Sequence, residues 1–338
     1  MTRAPMPTDS SLPRPDPRAN AFPGQELVYQ SIQRLWSAWA RRRYRDEFDR
    51  VTTFCLFLGY PRSGHSVVGA MLNAHRHAVI SHELDAPRLI LAGCDRDELY
   101  ARILARAAWF NLRGNRSNYR YQIPNGWQGR FATLRVVGDK AGGWATQLLR
   151  KHPDLLQRIR DTAGVPVRLV HVVRNPYDNI AAIARWHRMS LGESMEFYFS
   201  HCETTSPLAE RDDVITVRHE TLIRAPKETL SGICEHLGLA VDEHYLAECA
   251  SIVFERPTGS RRRVEWTPAQ VAGVDRRARA FAFLDGYEFG SADAADENPA
   301  AQAAAPAGRA DAPTRETRYF ERIGAWLSPR VRSASPRE

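Results

Sequence analysis

Short apolar runs alternate along this chain with segments in which apolar residues recur at helical spacing. The longest runs lie within Val51–Leu58 and Pro166–Pro176, and they are continuous and rich in β-branched and aromatic residues, as buried strands are. Val79–Ile80, Val136–Val137 and Asp213–Glu220 are shorter strand candidates. Because strands and helices alternate, the pattern predicts an α/β fold with a mostly parallel sheet covered by helices on both faces.

Helices are predicted between these strands and before the first of them. The best-formed one begins at Pro226 and is ended by Gly238. Another covers Val28–Trp39 and leads into a cluster of arginines. Helical segments also cover Pro87–Ala108, whereas Asn111–Arg130 is polar and predicts a long surface loop.

The two ends of the chain differ from its middle in composition. Residues 1–24 are proline-rich and polar, which predicts a disordered N-terminal tail. Residues 291–338 begin with a stretch rich in Ala, Asp and Pro, which predicts a mostly disordered C-terminal tail with one short candidate helix at Thr314–Leu327. One domain is therefore expected over residues 25–290.

Arginine carries almost all of the formal net charge of +8, since Lys140, Lys151 and Lys227 are the only lysines among 338 residues. Such a balance suits an anionic ligand. No basic stretch is interleaved with regularly spaced aromatic residues, so nucleic acid is not an expected partner. The oligomeric state is not indicated by the sequence.

The five cysteines are scattered and form no Cys-x-x-Cys pair, which predicts buried free thiols in a reducing compartment. No apolar run is long enough to cross a bilayer, and the first residues lack the apolar core of a signal peptide. The cytoplasm is therefore the expected location, with no integral membrane segment. His75 and His77 have no third ligand near them in the sequence, so no metal site is predicted.

The first long apolar run leads directly into GYPRSGHS, residues Gly59–Ser66, and a helical segment follows. This stretch has the outline of the phosphate-binding loop G-x-x-x-x-G-K-[ST], with His65 in place of the lysine. A strand, a glycine-containing turn and a helix N-terminus together gather backbone N–H groups around one anion. The loop therefore predicts a phosphate or sulfate site, with an incidental turn as the alternative.

The second long run ends in Arg174, where a nucleotide triphosphatase carries an aspartate that supports magnesium. The chain therefore lacks, at the expected positions, the lysine that binds a triphosphate and the carboxylate that binds its metal. A ligand with one phosphate at the loop and a second anion at Arg174 explains this pattern better.

Two motifs carry a resemblance to a known family. YPRSGHS resembles the 5′-phosphosulfate loop of sulfotransferases that use 3′-phosphoadenosine 5′-phosphosulfate, and VVRNPYDNIAAI (Val172–Ile183) resembles their 3′-phosphate motif. Three further segments, AMLNAHRHAVISHELDA, VGDKAGG and VRHETLIRAPKETLSGICEHLGL, are similar to bacterial and tyrosylprotein members. The resemblance covers roughly residues 50–290. It implies a three-layer sheet like that of the P-loop NTPases, this nucleotide as co-substrate, and no metal.

The resemblance also implies three catalytic roles. Arg62 would contact the 5′-phosphate and the bridging oxygen, and Lys140 would contact the sulfuryl group. Glu83 stands where tyrosylprotein sulfotransferases carry a catalytic glutamate, and it would act as the base on condition that partial burial raises its pKa. His82 would point to the opposite side of the strand. A structural carboxylate at position 83, and a Lys140–Asp139 ion pair, are the alternatives.

Further residues would complete the nucleotide site. Ser63, Gly64, His65 and Ser66 would supply N–H and hydroxyl donors to the loop. His65 replaces the threonine that is usual in the family, so it either donates to a sulfate oxygen as a catalytic group or only fills space.

At the other end of the nucleotide, Arg174 would bind the 3′-phosphate. Ala182 replaces a serine that the family usually adds there, and the basic loop of Arg261, Arg262 and Arg263 could compensate. His219 lies where many members carry a tyrosine near the adenine, and a packed core histidine is the alternative.

The resemblance implies transfer of a sulfuryl group to a hydroxyl of a small metabolite, a glycan or a lipid headgroup. Residues from about 95 to 130 and the helices near 190 to 210 would shape the acceptor pocket, at the carboxyl ends of the strands. Two alternatives stay open: a P-loop small-molecule kinase, and a non-catalytic protein that binds adenosine bisphosphate.

Overall fold

Five parallel strands form one sheet in the part of the chain that the structure describes, residues 35–112 and 121–290 of a computed structural model. The predicted tails 1–24 and 291–338, the candidate helix Thr314–Leu327 and the first residues of the predicted helix Val28–Trp39 lie outside the described residues. The strands are β1 (Thr53–Gly59), β2 (Ala78–His82), β3 (Val136–Lys140), β4 (Val167–Val173) and β5 (Val214–Arg218).

The strand order is β2-β3-β1-β4-β5, and every neighbouring pair is parallel. After β1 the chain moves to one side of the sheet, and after β4 it moves to the other. The crevice outside the carboxyl ends of β1 and β4 is therefore a topological switch point, the place where open α/β sheets bind their ligands.

Helices flank the sheet. They are α1 (residues 35–43), α2 (Arg45–Phe48), α3 (His65–Asn73), α4 (Ala86–Leu91), α5 (Arg96–Leu112), α6 (Gly142–Lys151), α7 (Leu155–Ala163), α8 (Pro176–His187), α9 (Leu191–Ala209), α10 (His219–Arg224), α11 (Pro226–His236), α12 (Glu243–Ala250) and α13 (Pro268–Ala278). Two short 3₁₀ helices span Ser260–Arg263 and Ala282–Leu284.

The alternation of side chains along β1 explains why both faces of the sheet are covered. Phe54, Leu56 and Leu58 pack into a core with residues of α4 to α7, and Cys55 and Phe57 pack into a second core with α3, α11 and α12. Every residue of β1 is buried. The continuous apolar run in the sequence is thus a central strand between two helical layers, and the expected three-layer α/β architecture is confirmed.

Two predicted boundaries were wrong. The strand predicted over Asp213–Glu220 ends at Arg218, because His219 and Glu220 begin α10. Helix α5 extends to Leu112, so Asn111 is helical rather than part of the predicted loop. The amide of Asn111 donates to the carbonyl of Gln128 and thereby ties the end of this helix to the chain that returns to β3.

No helix among the described residues is both long enough and apolar enough to span a membrane. In the same part of the chain, no three His, Cys, Asp or Glu side chains are grouped as metal ligands. Of the five free cysteines, four are buried and Cys94 is half-buried.

Gly138 and Gly232 offer a matched pair of glycine substitutions. A Cβ at Gly138 on β3 would lie 2.4 Å from the carbonyl oxygen of Cys55 on β1, and a strand backbone in the core cannot move away. We expect Gly138→Ala to lower the free energy of unfolding by about 1–3 kcal/mol.

Gly232 on α11 has nothing within 4 Å of such a Cβ, so Gly232→Ala should raise the free energy of unfolding by about 0.5–1 kcal/mol. Urea unfolding at pH 7 measures both changes. Equal effects of the two substitutions would contradict the packing of β3 against β1.

Candidate active site

The chain leaves β1 through Gly59–Ser66, which we call the phosphate loop, and enters α3 at His65. Three residues of the loop have positive φ angles, Gly59 with φ 119°, Arg62 with φ 68° and Gly64 with φ 97°. A Cβ at Gly64 would lie 2.3 Å from Nδ1 of His219, so only glycine allows that ring to lie against the loop. The turn therefore places a helix N-terminus and a histidine ring at one point.

Three neighbouring elements hold the phosphate loop in shape. The amide of Asn179 on α8 donates to the carbonyl of Pro61 at 2.8 Å. The N–H of Gly59 donates to the hydroxyl of Thr146 on α6 at 3.0 Å. The guanidinium of Arg174, directly after β4, donates to the carbonyl of Arg62 at 3.3 Å. The loop is thus held by α8, α6 and the residue after β4.

Arg62 lies against an aromatic ring. Its guanidinium carbon is 4.3 Å from the centroid of the Trp186 ring on α8, a cation–π geometry. The neighbouring His187 is largely buried, and burial together with the charge of Arg62 lowers its pKa to about 4. Arg62 therefore supplies the positive charge on this side of the loop, beside a neutral imidazole at neutral pH.

His65 cannot replace the missing P-loop lysine as a cation. Burial, and then the charges of Lys140 and Arg62, lower the pKa of His65 to about 3. Its Nδ1 lies 3.3 Å from Oγ of Ser63, and both side chains are buried. His65 is thus a neutral hydrogen-bonding group in the loop.

Lys140 ends β3 and joins the phosphate loop to the end of β2. Its ammonium donates to Oε1 of Glu83 at 2.6 Å and to Oγ of Ser66 at 3.3 Å. The side chain is only 1% exposed, and its stem crosses α3 where a Cβ on Gly69 would lie 2.8 Å from its Cγ. The stem of the lysine is therefore confined between α3 and β3, and its ammonium contacts Ser66 and Glu83.

Asp139 does not form the ion pair with Lys140 that was the alternative in the sequence analysis. Its carboxylate accepts hydrogen bonds from the hydroxyl of Ser81 at 2.8 Å and from the N–H groups of Leu84 and Ala86 at 3.0 and 2.9 Å. These bonds fix the turn that follows β2. Lys140 pairs with Glu83 instead.

This turn corrects the expectation that His82 and Glu83 point to opposite sides. Strand β2 ends at His82, and Glu83 has φ 55°, so the alternation of a strand no longer applies. Nε2 of His82 lies 3.9 Å from Oε1 of Glu83. His82 also stacks on Phe110 with ring centroids 4.3 Å apart. Both side chains therefore face the same region.

The rise in the pKa of Glu83 that was the condition for its role as base is not found. Burial would raise it, but the ammonium of Lys140 outweighs burial and holds the pKa of Glu83 well below its ordinary value. Burial and Lys140 likewise lower the pKa of His82 to about 3. At neutral pH the site thus holds an ionised glutamate, a lysine paired with it, and two neutral histidines.

Arg174 connects the phosphate loop to the chain after α12. Besides the carbonyl of Arg62, its guanidinium donates to the carbonyl of Thr258 and, at 3.2 Å, to the hydroxyl of Ser260. The cationic residues Arg62 and Arg174 therefore meet at the switch point of the sheet. The ring of His219 packs on Gly64, and burial, followed by the charge of Arg174, lowers the pKa of His219 to about 3.

The three arginines of the basic loop have different environments. Arg261 is 3% exposed, its N–H donates to Oδ1 of Asp178 at 2.8 Å, and its guanidinium donates to the carbonyl of Glu288 at 3.1 Å. Arg262 and Arg263 are exposed. Arg261 is therefore the buried member of the three, and its two neighbours are the arginines on the surface; the assignment of all three to the 3′-phosphate stays a prediction.

Four residues of the site were not predicted from the sequence, namely Asn179, Trp186, Glu220 and Tyr287. A signal was present for two of them. Asn179 follows Asn175 by one helical turn inside the quoted VVRNPYDNIAAI motif, and Glu220 is part of the quoted VRHETL segment. Trp186 and Tyr287 had no comparable signal.

Comparisons with known proteins agree with the motifs. Residues 56–243 match the family model described as "Sulfotransferase family". The chain is similar to the sulfotransferase domain from the curacin biosynthetic pathway, with 14% identity over 68% of this chain and 98% of that chain and a TM-score of 0.43. It is also similar to a sulfotransferase from Mycobacterium avium, with 9% identity over 79% of this chain and 88% of that chain and a TM-score of 0.44. A mouse sulfotransferase complexed with PAP is similar as well, with 14% identity over 70% of this chain and 87% of that chain and a TM-score of 0.37.

No curated protein matches the chain. The family model nevertheless spans more than half of the 338 residues and includes the phosphate loop, Glu83, Lys140 and Arg174. This match favours sulfuryl transfer over the phosphoryl transfer of the kinase alternative. The resemblance drawn from the motifs is confirmed, and the chain belongs to the sulfotransferase family.

Proposed function

We propose that this sulfotransferase takes its sulfuryl group from 3′-phosphoadenosine 5′-phosphosulfate and transfers it to a hydroxyl of a small metabolite, a glycan or a lipid headgroup. The observation that carries the proposal is the position of Lys140. Its ammonium lies between Ser66 of the phosphate loop and Glu83. One cation can thus act on both the donor side and the acceptor side of a transferred group.

The phosphate loop suits the 5′ end of the donor. Helix α3 begins at His65, so the N–H groups of its first turn point toward the loop, and the positive end of the helix dipole favours an anion there. Ser63, Gly64, His65 and Ser66 supply hydroxyl, imidazole and N–H donors. Arg62 adds a full positive charge beside Trp186.

Arg174 and the surface arginines suit the 3′-phosphate. The guanidinium of Arg174 is oriented by the carbonyl of Arg62 and the hydroxyl of Ser260. Arg262 and Arg263 follow Ser260 and Arg261 in the chain, and both are exposed. His219, neutral and packed against Gly64, fits the adenosine side of this site. These arginines and Lys140 supply the cationic charge that magnesium supplies in NTPases, so the proposal includes no metal.

In the proposed reaction the acceptor oxygen forms a bond to sulfur while the bond from sulfur to the 5′-phosphate oxygen breaks. Glu83 takes the proton of the acceptor hydroxyl. Lys140 stabilises the negative charge that develops on the leaving oxygen, and Arg62 stabilises the phosphate. The protein contributes mainly positioning and electrostatic stabilisation, as in phosphoryl transfer.

Glu83 suits the role of base better than either histidine. Against the effect of burial, Lys140 is the main cause of the low pKa of Glu83, with smaller effects of His82 and His65, and Lys140 is the group that the donor's negative charge would engage. The pKa values of His65 and His82 are low first because these residues are buried, and a bound donor does not remove that cause. Engagement of Lys140 by the donor would therefore raise the pKa of Glu83 and leave the imidazoles weak bases.

Nucleotide binding tests the donor assignment. We expect adenosine 3′,5′-bisphosphate to raise the melting temperature without added metal, and to do so more than AMP or ATP at the same concentration. At 100 times its Kd, the bisphosphate should add about 2.7 kcal/mol to the free energy of unfolding. Equal shifts with all three nucleotides would contradict the assignment of a 3′-phosphate site.

Replacement of the proposed base tests the chemistry. Glu83→Gln should lower kcat for transfer of labelled sulfate about 10²–10⁴-fold, since an amide cannot take the proton. Transfer would be measured against a panel of phenols, sugars and lipid headgroups. Glu235→Gln, an exposed glutamate on α11, is the control and should leave kcat unchanged. Wild-type kcat in Glu83→Gln would exclude Glu83 as the base.

The Lys140–Glu83 ion pair also predicts a coupling in stability. Lys140→Met leaves the carboxylate of Glu83, which is 21% exposed, without its cation. We expect a loss of about 2–3 kcal/mol at pH 7, less than the loss for a fully buried pair. The double variant Lys140→Met/Glu83→Gln should recover about 1 kcal/mol, because its amide carries no charge.

The same coupling has a pH dependence. Since the pair lowers the pKa of Glu83 in the folded state, its stabilisation is complete above the unfolded-state pKa of about 4.3 and is lost as the pH falls below it. Urea unfolding at pH 7 and pH 3.5 should show a smaller gap between wild type and Lys140→Met at the lower pH. If the losses of stability in Lys140→Met and Glu83→Gln simply added up in the double variant, a direct ion pair would be contradicted.

A further inference from the structure

The residue that follows Arg174 is held by hydrogen bonds on several sides. The N–H of Asn175 donates to Oε1 of Glu220 at 2.9 Å, and its side-chain oxygen accepts from the N–H of Tyr177 at the start of α8. Its side-chain amide donates to the carbonyl of Glu288 at 3.2 Å. These bonds determine the direction in which the chain leaves β4, and therefore the base of the Arg174 side chain.

Glu220 is a buried carboxylate that accepts hydrogen bonds from uncharged groups. It is 5% exposed, and its Oε2 accepts from the hydroxyl of Tyr287 at 2.6 Å. Among the described residues, no Lys, Arg or His nitrogen lies within 4.0 Å of its carboxylate. The N–H of Asn175 and the hydroxyl of Tyr287 are the donors on its two oxygens. Removing either donor would leave a buried charge less well satisfied, which is costly.

Tyr287 belongs to a segment, residues 283–288, that contacts both sides of the Arg174 site. The guanidinium of Arg218 donates to the carbonyls of Phe283 and Asp285 and lies 4.7 Å from the ring centroid of Tyr287. The carbonyl of Glu288 accepts from Asn175 and from Arg261. The segment lies beyond residues 56–243, where the family model matches, yet it joins β5, α8 and the basic loop.

We propose that Glu220 and Tyr287 are positioning residues for the 3′-phosphate site. The 283–288 segment holds Glu220, Glu220 holds the main chain at Asn175, and this chain orients Arg174. A guanidinium that binds phosphate through two parallel hydrogen bonds is sensitive to such an orientation, since both bonds need the correct plane. The inference rests on the proposed function in one respect, the binding of a 3′-phosphate by Arg174.

A purely structural role for the segment gives a different expectation. If residues 283–288 only covered the core, loss of a hydrogen bond there would weaken the fold and would affect every nucleotide alike. A positioning role affects only the ligand that carries a 3′-phosphate. AMP shares the adenosine and the 5′-phosphate with adenosine 3′,5′-bisphosphate and lacks the 3′-phosphate, so the ratio of the two affinities separates these roles.

The test is calorimetric titration of the full chain and of Tyr287→Phe and Glu220→Gln with each of the two nucleotides. We expect wild type to prefer the bisphosphate, and we expect either substitution to reduce this preference about tenfold, equivalent to about 1.4 kcal/mol. The affinity for AMP should stay within about twofold of wild type, because the 5′ site is held by other contacts.

Tyr100→Phe is the matched control. It removes a buried hydroxyl that donates to the carbonyl of Ala163 at 2.8 Å, away from the nucleotide site, and it should leave the preference unchanged. A preference that survives in Tyr287→Phe and Glu220→Gln, or an equal loss for both nucleotides, would overturn the positioning role alone. A wild-type protein without any preference would overturn the donor assignment, and the positioning role with it.

Discussion

The ammonium of Lys140 is the centre on which the arrangement of the site depends. It is the terminal group of a buried side chain at the end of a central strand, and it donates to Ser66 on one side and to Glu83 on the other. Gly69 makes this possible, because a Cβ there would collide with the lysine stem. The same charge weakens Glu83 as a base and lowers the pKa values of the two nearby histidines. The positive charge of Lys140 therefore keeps Glu83 ionised, and it adds to the burial that keeps His65 and His82 neutral.

The second organising feature is the crevice between β1 and β4. The parallel sheet brings the phosphate loop and Arg174 to the same edge, and the carbonyl of Arg62 accepts directly from Arg174. The walls of the crevice come from distant parts of the chain: Asn179 holds the loop, Ser260 holds Arg174, and the carboxylate of Glu220 holds Asn175. A proposed pocket for a doubly phosphorylated adenosine thus has rigid supports at both ends. Such supports reduce the entropy that must be lost when a charged ligand is bound.

The positions of the main site residues could be predicted because they follow strands. Lys140, Glu83 and Arg174 each lie at or just after the carboxyl end of a predicted strand, and parallel strands bring such ends together. The contacts of these residues could not be predicted in the same way. The direction of Glu83 depends on a left-handed turn that Asp139 fixes from another strand. Arg261 looks like a loop arginine in the sequence, and its burial depends on Asp178 and the carbonyl of Glu288.

The α/β class, the alternation of strands and helices along the chain, the glycine-containing loop after the first strand and the family could be predicted from local periodicity and from short motifs whose residues are neighbours in the chain. The pairing of charges could be seen only in the folded chain. Lys140 and Glu83 are 57 positions apart, and Glu220 and Tyr287 are 67 positions apart. The ionisation of a carboxylate depends on the charges and donors within a few ångströms of it in space, and a local sequence pattern does not tell which distant residues come that close.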